Sequence, residues 1–148
     1  MSEGMYSILK QAHSIFAYLL LLLLILTVII AIAAVVSNKS FNKVLKKPAL
    51  FTQIFSHLQL LFGLILYFVS PLGMQNFSGE NMKISVSRLY MLEHPLMMLI
   101  AIILITIGYS RAKKLSSDNK KNKTIAIFYG IGLILTLSRI PWNAWPNL

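Results

Sequence analysis

The chain has 148 residues, of which 57% are hydrophobic and only 12% are charged, and its formal net charge is +10. This composition excludes an ordinary soluble domain, and the lack of cysteine in the chain excludes disulfides, thiolate ligands and covalently attached c-type haem. The lysines and arginines flank apolar runs instead of forming a basic stripe on a polar surface, so nucleic-acid binding is not expected.

Four apolar runs predict four membrane-spanning helices, because a bilayer core about 30 Å thick needs roughly 20 apolar residues per helix. In chain order, the predicted helices cover residues 12–36, 49–70, 89–110 and 124–141. Ala31-Ile32-Ala33 mimics a signal-peptide cleavage site, but the length of the first run and the basic segment after it favour a retained helix. The chain is therefore predicted to form a single transmembrane domain.

The connections between the runs differ strongly in charge, and this difference predicts the topology. Segments 37–48 and 110–123 hold four and six of the lysines and arginines, whereas the middle connection, 71–88, holds only Lys83 and Arg88. Because cytoplasmic loops are enriched in Lys and Arg, the first and third connections should be cytoplasmic and both termini periplasmic. Short connections favour antiparallel neighbours. We therefore expect an all-α, up-down-up-down four-helix bundle, embedded as a multi-pass protein in a bacterial inner membrane.

Three histidines are the most unusual feature of these apolar runs. His13 stands at the mouth of the first run, His57 lies within the second, and His94 lies near the start of the third. Ionisable side chains at such depths are costly, and they usually face the interior of a bundle or a functional site. Neutral imidazole is also a common ligand of haem iron and of other metals. The pattern therefore indicates a cofactor site between the helices.

Two axial ligands of one haem need to lie at similar depth on facing helices. The predicted boundaries put His94 roughly 8 Å along its helix from the outer side. Both His13 and His57 then differ from His94 in depth by roughly 8 to 12 Å across a core of about 30 Å. His13 and His57 lie too far apart to pair with each other. The sequence thus leaves two pairs open, His94 with His57 and His94 with His13.

Two arginines and one glutamate lie close to the predicted outer surface. Arg88 and Arg139 suit haem propionates, because arginine binds carboxylates through two parallel hydrogen bonds, and both also suit the role of snorkelling anchors. Glu93 is expected to pair with Arg88 or Arg139. Pro95 either begins the regular part of the third helix or bends that helix and so aims His94 inward.

The sequence resembles a known family along nearly its whole length. Residues Phe55–Phe68 resemble the second helix of short bacterial inner-membrane proteins commonly labelled "cytochrome B". Residues Glu93–Ala101 resemble their third helix, and Ile107–Lys114 resemble the basic loop that follows it. His13 matches the histidine of their first helix, although Ser14-Ile15-Phe16-Ala17 departs from the aromatic or arginine that often follows there. Arg139-Ile140-Pro141-Trp142 is similar to the end of their fourth helix.

The resemblance implies a four-helix membrane protein that carries haem b. The expected function is one-electron transfer within or beside a respiratory complex, through a haem held by His94 and either His57 or His13, with Arg88 or Arg139 near its propionates. No nucleotide-binding, zinc-protease or hydrolase motif is present, so an electron-transfer or accessory subunit is expected rather than a stand-alone enzyme.

Two further functions remain open on the sequence. In the first, the chain is a haem-free accessory or assembly subunit of a larger membrane complex, and its histidines make interhelical hydrogen bonds. In the second, Glu93, His94 and His13 carry a metal ion or a proton at the outer mouth of the bundle. The second is disfavoured, because a single carboxylate makes a poor relay.

Overall fold

The computed structural model describes residues 3–145, and this part of the chain is all-helical. Four long helices and one short one account for most of it, together with a π-helical turn at Leu89–Glu93 that joins α3 to α4. The helices are α1 (Glu3–Val36), α2 (Lys43–Val69), α3 (Ser85–Arg88), α4 (His94–Lys114) and α5 (Asp118–Ser138). Two single turns of 3-10 helix, Met74–Asn76 and Asn81–Lys83, lie in the connection between α2 and α3. The predicted all-α class with four long helices is confirmed.

Three stretches are long and apolar enough to cross a membrane, namely Glu3–Val36, Lys43–Asn76 and Ser85–Lys114. The helix α5 is not among them, because its first six residues, Asp118 to Lys123, are all polar or charged. Its remaining part, residues 124–138, rises about 22 Å at about 1.5 Å per residue, which is less than a core of about 30 Å. The prediction of four spanning helices is thus supported for three, and α5 adds a shorter apolar segment.

The helix α1 begins well before its apolar run does. The run predicts a start at residue 12, whereas α1 begins at Glu3. Residues 3–11 mix polar and apolar side chains and contain no proline, so no residue in this segment stops the helix. An apolar run reports the thickness of the bilayer core and not the length of the helix. As a result, His13 lies about three turns inside α1 instead of at its mouth.

The order of packing around the bundle sets which helices face each other. The helix α1 packs against α2 and α5, and α4 packs against the same two helices, so α1 and α4 lie diagonally across the bundle. The approach of α4 to α5 is close, since a Cβ added at Gly108 would lie 2.5 Å from the Cβ of Phe128. Of the four neighbouring pairs, α2 and α4 make the least extensive contact.

The best-packed part of the bundle lies beside the short connections 37–42 and 115–117, and we call it the lysine-rich half. Two of its buried polar side chains bond across the bundle: the Tyr129 hydroxyl donates to the carbonyl of Ala49 in α2 at 2.7 Å, and the Asn122 amide nitrogen donates to the carbonyl of Lys39 in the first connection at 2.7 Å, while Oδ1 of Asn122 has no partner. The buried apolar side chains are those of Leu24, Val28, Ala31, Ala34, Leu45, Ala49, Ile105, Tyr109, Ala112, Ile125 and Tyr129.

The opposite part of the bundle, which contains His13, His94 and Arg139, is called here the histidine half. Polar and aromatic contacts dominate it. The indole of Trp145 donates to the Ser14 hydroxyl at 3.0 Å, and the hydroxyls of Tyr6 and Ser70 lie 3.0 Å apart. These contacts tie the chain after α5 to α1, and α1 to the end of α2.

Candidate functional site

The diagonal helices α1 and α4 bring two of the three histidines together. The ring centroids of His13 and His94 lie 6.5 Å apart, and the ring planes are inclined by 79°. Both side chains are partly buried. The depth difference of roughly 8 to 12 Å expected from the apolar runs is absent, because those runs do not mark where the helices begin. One of the two pairs left open by the sequence is therefore assembled.

The imidazole of His94 is held by the end of α5. Its Nδ1 lies 2.8 Å from the carbonyl oxygen of Arg139, which is the residue that ends this helix. Carbonyl oxygens in the last turn of a helix have no intrahelical partner and are free to accept. Since a carbonyl only accepts, Nδ1 donates and Nε2 keeps its lone pair. This is the arrangement that orients metal-binding imidazoles, which usually donate their other N–H to a carbonyl or carboxylate.

The backbone before His94 is a π-helical turn, and the residue after it is Pro95. Proline has no N–H to donate to the carbonyl four residues earlier, which is that of Met91. The Tyr67 hydroxyl on α2 donates to this carbonyl instead, at 3.1 Å. The first interpretation of Pro95 is confirmed, because the regular helix α4 begins at His94. The bend that would aim His94 inward stays a prediction. Such π-turns are frequent at functional sites.

The imidazole of His13 packs against α2. The side-chain nitrogen of Gln59 donates to the His13 carbonyl at 2.9 Å and lies 3.2 and 3.4 Å from the two ring nitrogens. The other end of the same amide, Oε1, is buried without a hydrogen-bond partner. A Cβ added at Gly63 would lie 3.3 Å from Cε1 of His13. The absence of a side chain at this position therefore lets the ring lie against the helix.

Three residues that support the histidine pair form one stripe on α2. Gln59, Gly63 and Tyr67 follow each other at intervals of four residues, so they lie on the same face of the helix. The sequence analysis gave none of these three residues a role in the site. A polar, a small and an aromatic residue at this spacing in an apolar run is the signal that points to a helix contact.

The third histidine lies elsewhere. His57 places Nδ1 2.7 Å from the Gln53 carbonyl and Nε2 3.3 Å from the Thr106 hydroxyl. Thr106 follows His94 by 12 residues in α4, which corresponds to about 18 Å along the axis. The structure therefore does not bring His57 to His94, and only His13 of the two candidates lies beside His94. The apolar runs gave the wrong relative depth for His57 and His94, because the ends of a run do not show how far α2 and α4 are displaced along each other.

Glu93 sits between the two arginines that the sequence singled out. Its Oε1 lies 2.7 Å from Nε of Arg88, and its Oε2 lies 3.3 Å from Nε of Arg139. The expected pairing with one arginine is therefore confirmed for both. The two side chains of Arg88 and Arg139 are 39% and 43% exposed, and ion pairs of this kind contribute little to stability. Within residues 3–145, no three His, Asp or Glu side chains converge as a metal cluster.

Comparison with known proteins finds no match: no protein-family model, no curated protein and no solved structure matches the chain. The resemblance to the proteins labelled "cytochrome B" thus remains an expectation drawn from the sequence. The function of the histidine pair has to be inferred from its own geometry.

Proposed function

We propose that the chain is a small b-type cytochrome-like membrane protein in which His13 and His94 would hold one haem b. The observation that carries the proposal is the approach of the two imidazoles from α1 and α4 to a centroid separation of 6.5 Å. Neutral imidazole is a common ligand of haem iron. A bound haem would supply one-electron transfer.

The side chains around the pair fit this role. His94 already donates through Nδ1 to the Arg139 carbonyl, which leaves Nε2 as the ligand atom. His13 can bind through Nε2 when its Nδ1 carries the proton and finds an acceptor. The side chain of Gln59 already contacts this ring. If its amide turned over, Oε1 would accept from Nδ1 in exchange for the bond that the Gln59 amide nitrogen now donates to the His13 carbonyl.

Arg88 and Arg139 are the residues proposed to contact the haem propionates. Both guanidinium groups converge on Glu93, next to His94 in the chain. A propionate carboxylate offers the same pair of oxygens as Glu93, and arginine binds such groups in a bidentate manner. The ion pairs are partly exposed, and pairs of this kind contribute little to stability, so exchange of Glu93 for a propionate would cost little.

The proposed orientation places the lysine-rich half on the cytoplasmic side and the histidine half on the periplasmic side of a bacterial inner membrane. Ten lysines and arginines lie between residues 39 and 123 beside the first and third connections, and such residues mark cytoplasmic loops. The bond from Asn122 to the Lys39 carbonyl at one end of the bundle, and the bond from His94 to Arg139 at the other, support antiparallel neighbours. Electron exchange with a respiratory complex is the proposed context.

An absorption spectrum of protein purified from haem-replete cells tests the proposal. The reduced-minus-oxidised spectrum of the wild-type protein should show Soret and α bands, and His94→Ala and His13→Ala should each remove them. His57→Ala is the matched control, because it removes the same ring from a different level of the bundle, and it should keep both bands. A haem-free wild-type preparation would overturn the proposal, and loss of the bands in His57→Ala with retention in His13→Ala would overturn the ligand pair.

One observation favours the haem-free alternative, an accessory or assembly subunit of a larger membrane complex. The nitrogen of Gln59 faces both ring nitrogens of His13, which is an ordinary interhelical contact between polar side chains. For such a subunit, mild detergent extraction should recover the chain in a stable complex without chromophore. Substitution of His13 or His94 should then reduce only the amount of assembled complex.

A further inference from the structure

The lysine-rich half carries a positive charge that its own acidic residues do not balance. Segments 37–48 and 110–123 hold ten lysines and arginines and one acidic residue, Asp118, which leaves a net charge of +9. Asp118 pairs with Lys121 at 3.0 Å. The other nine cations are exposed, and none of them forms an ion pair within residues 3–145. The rest of the chain is nearly neutral, with four cations and three acidic residues.

Contacts between the first connection and α5 join the two basic segments into one surface. The side-chain amide of Asn119 donates to Oδ1 of Asn38 at 2.9 Å, and that of Asn122 donates to the Lys39 carbonyl at 2.7 Å. The ammonium group of Lys121 lies 5.7 Å from the centroid of the Phe41 ring. Cations that are far apart in the chain are therefore held together at one end of the bundle.

Several of these cations lie where they destabilise the isolated chain. Lys43 and Lys46 lie in the first turn of α2, and Lys120 and Lys121 lie in the first turn of α5. The first turn of a helix carries a partial positive charge, so acidic side chains are favourable there and basic side chains are not. The first turn of α2 has no acidic residue, and that of α5 has only Asp118. An anion from outside the chain would relieve this repulsion.

The position of the cations along the helices indicates which anion this is. The guanidinium of Arg111 lies 5.7 Å from the ring centroid of Phe128, and the ammonium of Lys113 lies 5.4 Å from that of Tyr109. Their alkyl chains thus extend over aromatic rings at the end of the apolar stretch 85–114. Side chains of this kind place their charge at the level of the lipid headgroups when the apolar stretch lies in a bilayer. The phosphate of a phospholipid is an anion found at this level.

We propose that the lysine-rich half binds the headgroups of anionic phospholipids in preference to zwitterionic ones. A zwitterionic headgroup brings a cation of its own, whereas an anionic headgroup brings the net negative charge that this surface lacks. One lysine or arginine near an anionic bilayer surface strengthens association about fivefold. An acidic protein segment would offer the same charge, but it would not account for cations that border apolar membrane-facing surface. This proposal requires the membrane and is independent of haem.

The association of spin-labelled lipids with the wild-type protein tests the proposal. The protein is reconstituted in phosphatidylcholine bilayers with a trace of spin-labelled phosphatidylglycerol or, separately, spin-labelled phosphatidylcholine. Electron paramagnetic resonance distinguishes the lipid that contacts the protein from the mobile lipid. Phosphatidylglycerol should associate about five times more strongly than phosphatidylcholine, which corresponds to about one cation per headgroup. High salt should reduce this preference, because salt screens exposed charges. Equal association of the two lipids, or a preference that salt leaves unchanged, would overturn the proposal.

Charge-reversal variants locate the binding surface. Lys120→Glu combined with Lys123→Glu lowers the net charge of the lysine-rich half from +9 to +5, because each substitution removes two charges. The preference for phosphatidylglycerol should then fall from about fivefold to about twofold. Lys10→Glu combined with Lys83→Glu is the control, since it changes the net charge of the chain equally but in the other half, and it should keep the preference.

An equal decrease in both double variants, or no decrease in either, would overturn the assignment to the lysine-rich half. The salt dependence of the wild-type protein still decides the proposal if a variant fails to fold. An absorption spectrum of each sample reports its haem content separately, so the lipid preference and haem binding can fail independently.

Discussion

The lysine-rich half and the histidine half of this bundle are built in different ways. In the lysine-rich half, Ala112, Ile125 and Tyr129 have no exposed surface. Tyr129 and Asn122 there donate to backbone carbonyls, although Oδ1 of Asn122 is buried without a partner. In the histidine half, the imidazoles of His13 and His94 are only partly buried and are held by contacts from α2 and α5.

The difference separates the part of the molecule that defines the fold from the part that can hold a ligand. A close-packed apolar contact cannot change partners without leaving a cavity or creating a clash. A polar contact such as that between Gln59 and His13 can exchange one hydrogen bond for another. Each half has one buried side-chain oxygen without a partner, Oδ1 of Asn122 in the lysine-rich half and Oε1 of Gln59 in the histidine half. Only the side chain of Gln59 also contacts a histidine ring.

The largest expected effect is on the lysine-rich half, through the α4–α5 contact. A Cβ at Gly108 would lie 2.5 Å from the Cβ of Phe128, so Gly108→Ala must push the two helices apart. We expect a loss of about 1–3 kcal/mol in the free energy of unfolding, measured by thermal denaturation in detergent. Gly130→Ala is the control, because no atom lies within 4 Å of its added Cβ, and it should be neutral or slightly stabilising. Equal melting temperatures for the two variants would contradict the close packing of this half.

An intermediate effect is expected in the histidine half, on the retention of haem. Gln59→Leu removes the group that would hold the Nδ1 proton of His13, and loss of such a supporting partner typically weakens metal binding about 10–100-fold. Transfer of haem to an excess of apomyoglobin measures the change, with Gln53→Leu as the control. The stability of the haem-free protein should change little, because the substitution also removes an unpaired buried oxygen. Unchanged haem retention would show that Gln59 has only a packing role.

The smallest effect is expected at the turn that positions His94. Tyr67→Phe leaves the Met91 carbonyl without its donor and should destabilise the protein by about 1 kcal/mol. In a Pro95→Ala background, the restored N–H can bond to the same carbonyl, so the penalty of Tyr67→Phe should disappear. Chemical denaturation of the two single variants and the double variant measures this coupling. Additive effects would mean that Tyr67 does not compensate for the proline.

Individual residues show how far the sequence could anticipate the site. His94 was identified from its depth in an apolar run, and the pairing of Glu93 with the nearby arginines followed from their charges. The choice of His13 as the neighbour of His94 did not follow, because it depends on nine helical residues that precede the predicted start of α1. The roles of Gln59, Gly63 and Tyr67 were not predicted. They depend on contacts with His13 in α1 and with Met91 in the turn before α4, and the sequence of α2 alone does not show these contacts.

Composition and periodicity by themselves determined that this is a helical protein with spans suited to a membrane, since apolar length and charge placement are properties of single segments. Only the tertiary structure decided that α1 and α4 face each other across the bundle, that His13 meets His94, and that His57 contacts Thr106 at a different level. The physical reason is that a side chain's depth and partners depend on how far each helix slides along its neighbours. Close packing at small residues such as Gly108 fixes the position of each helix along its neighbours. The sequence of one helix alone does not determine this position.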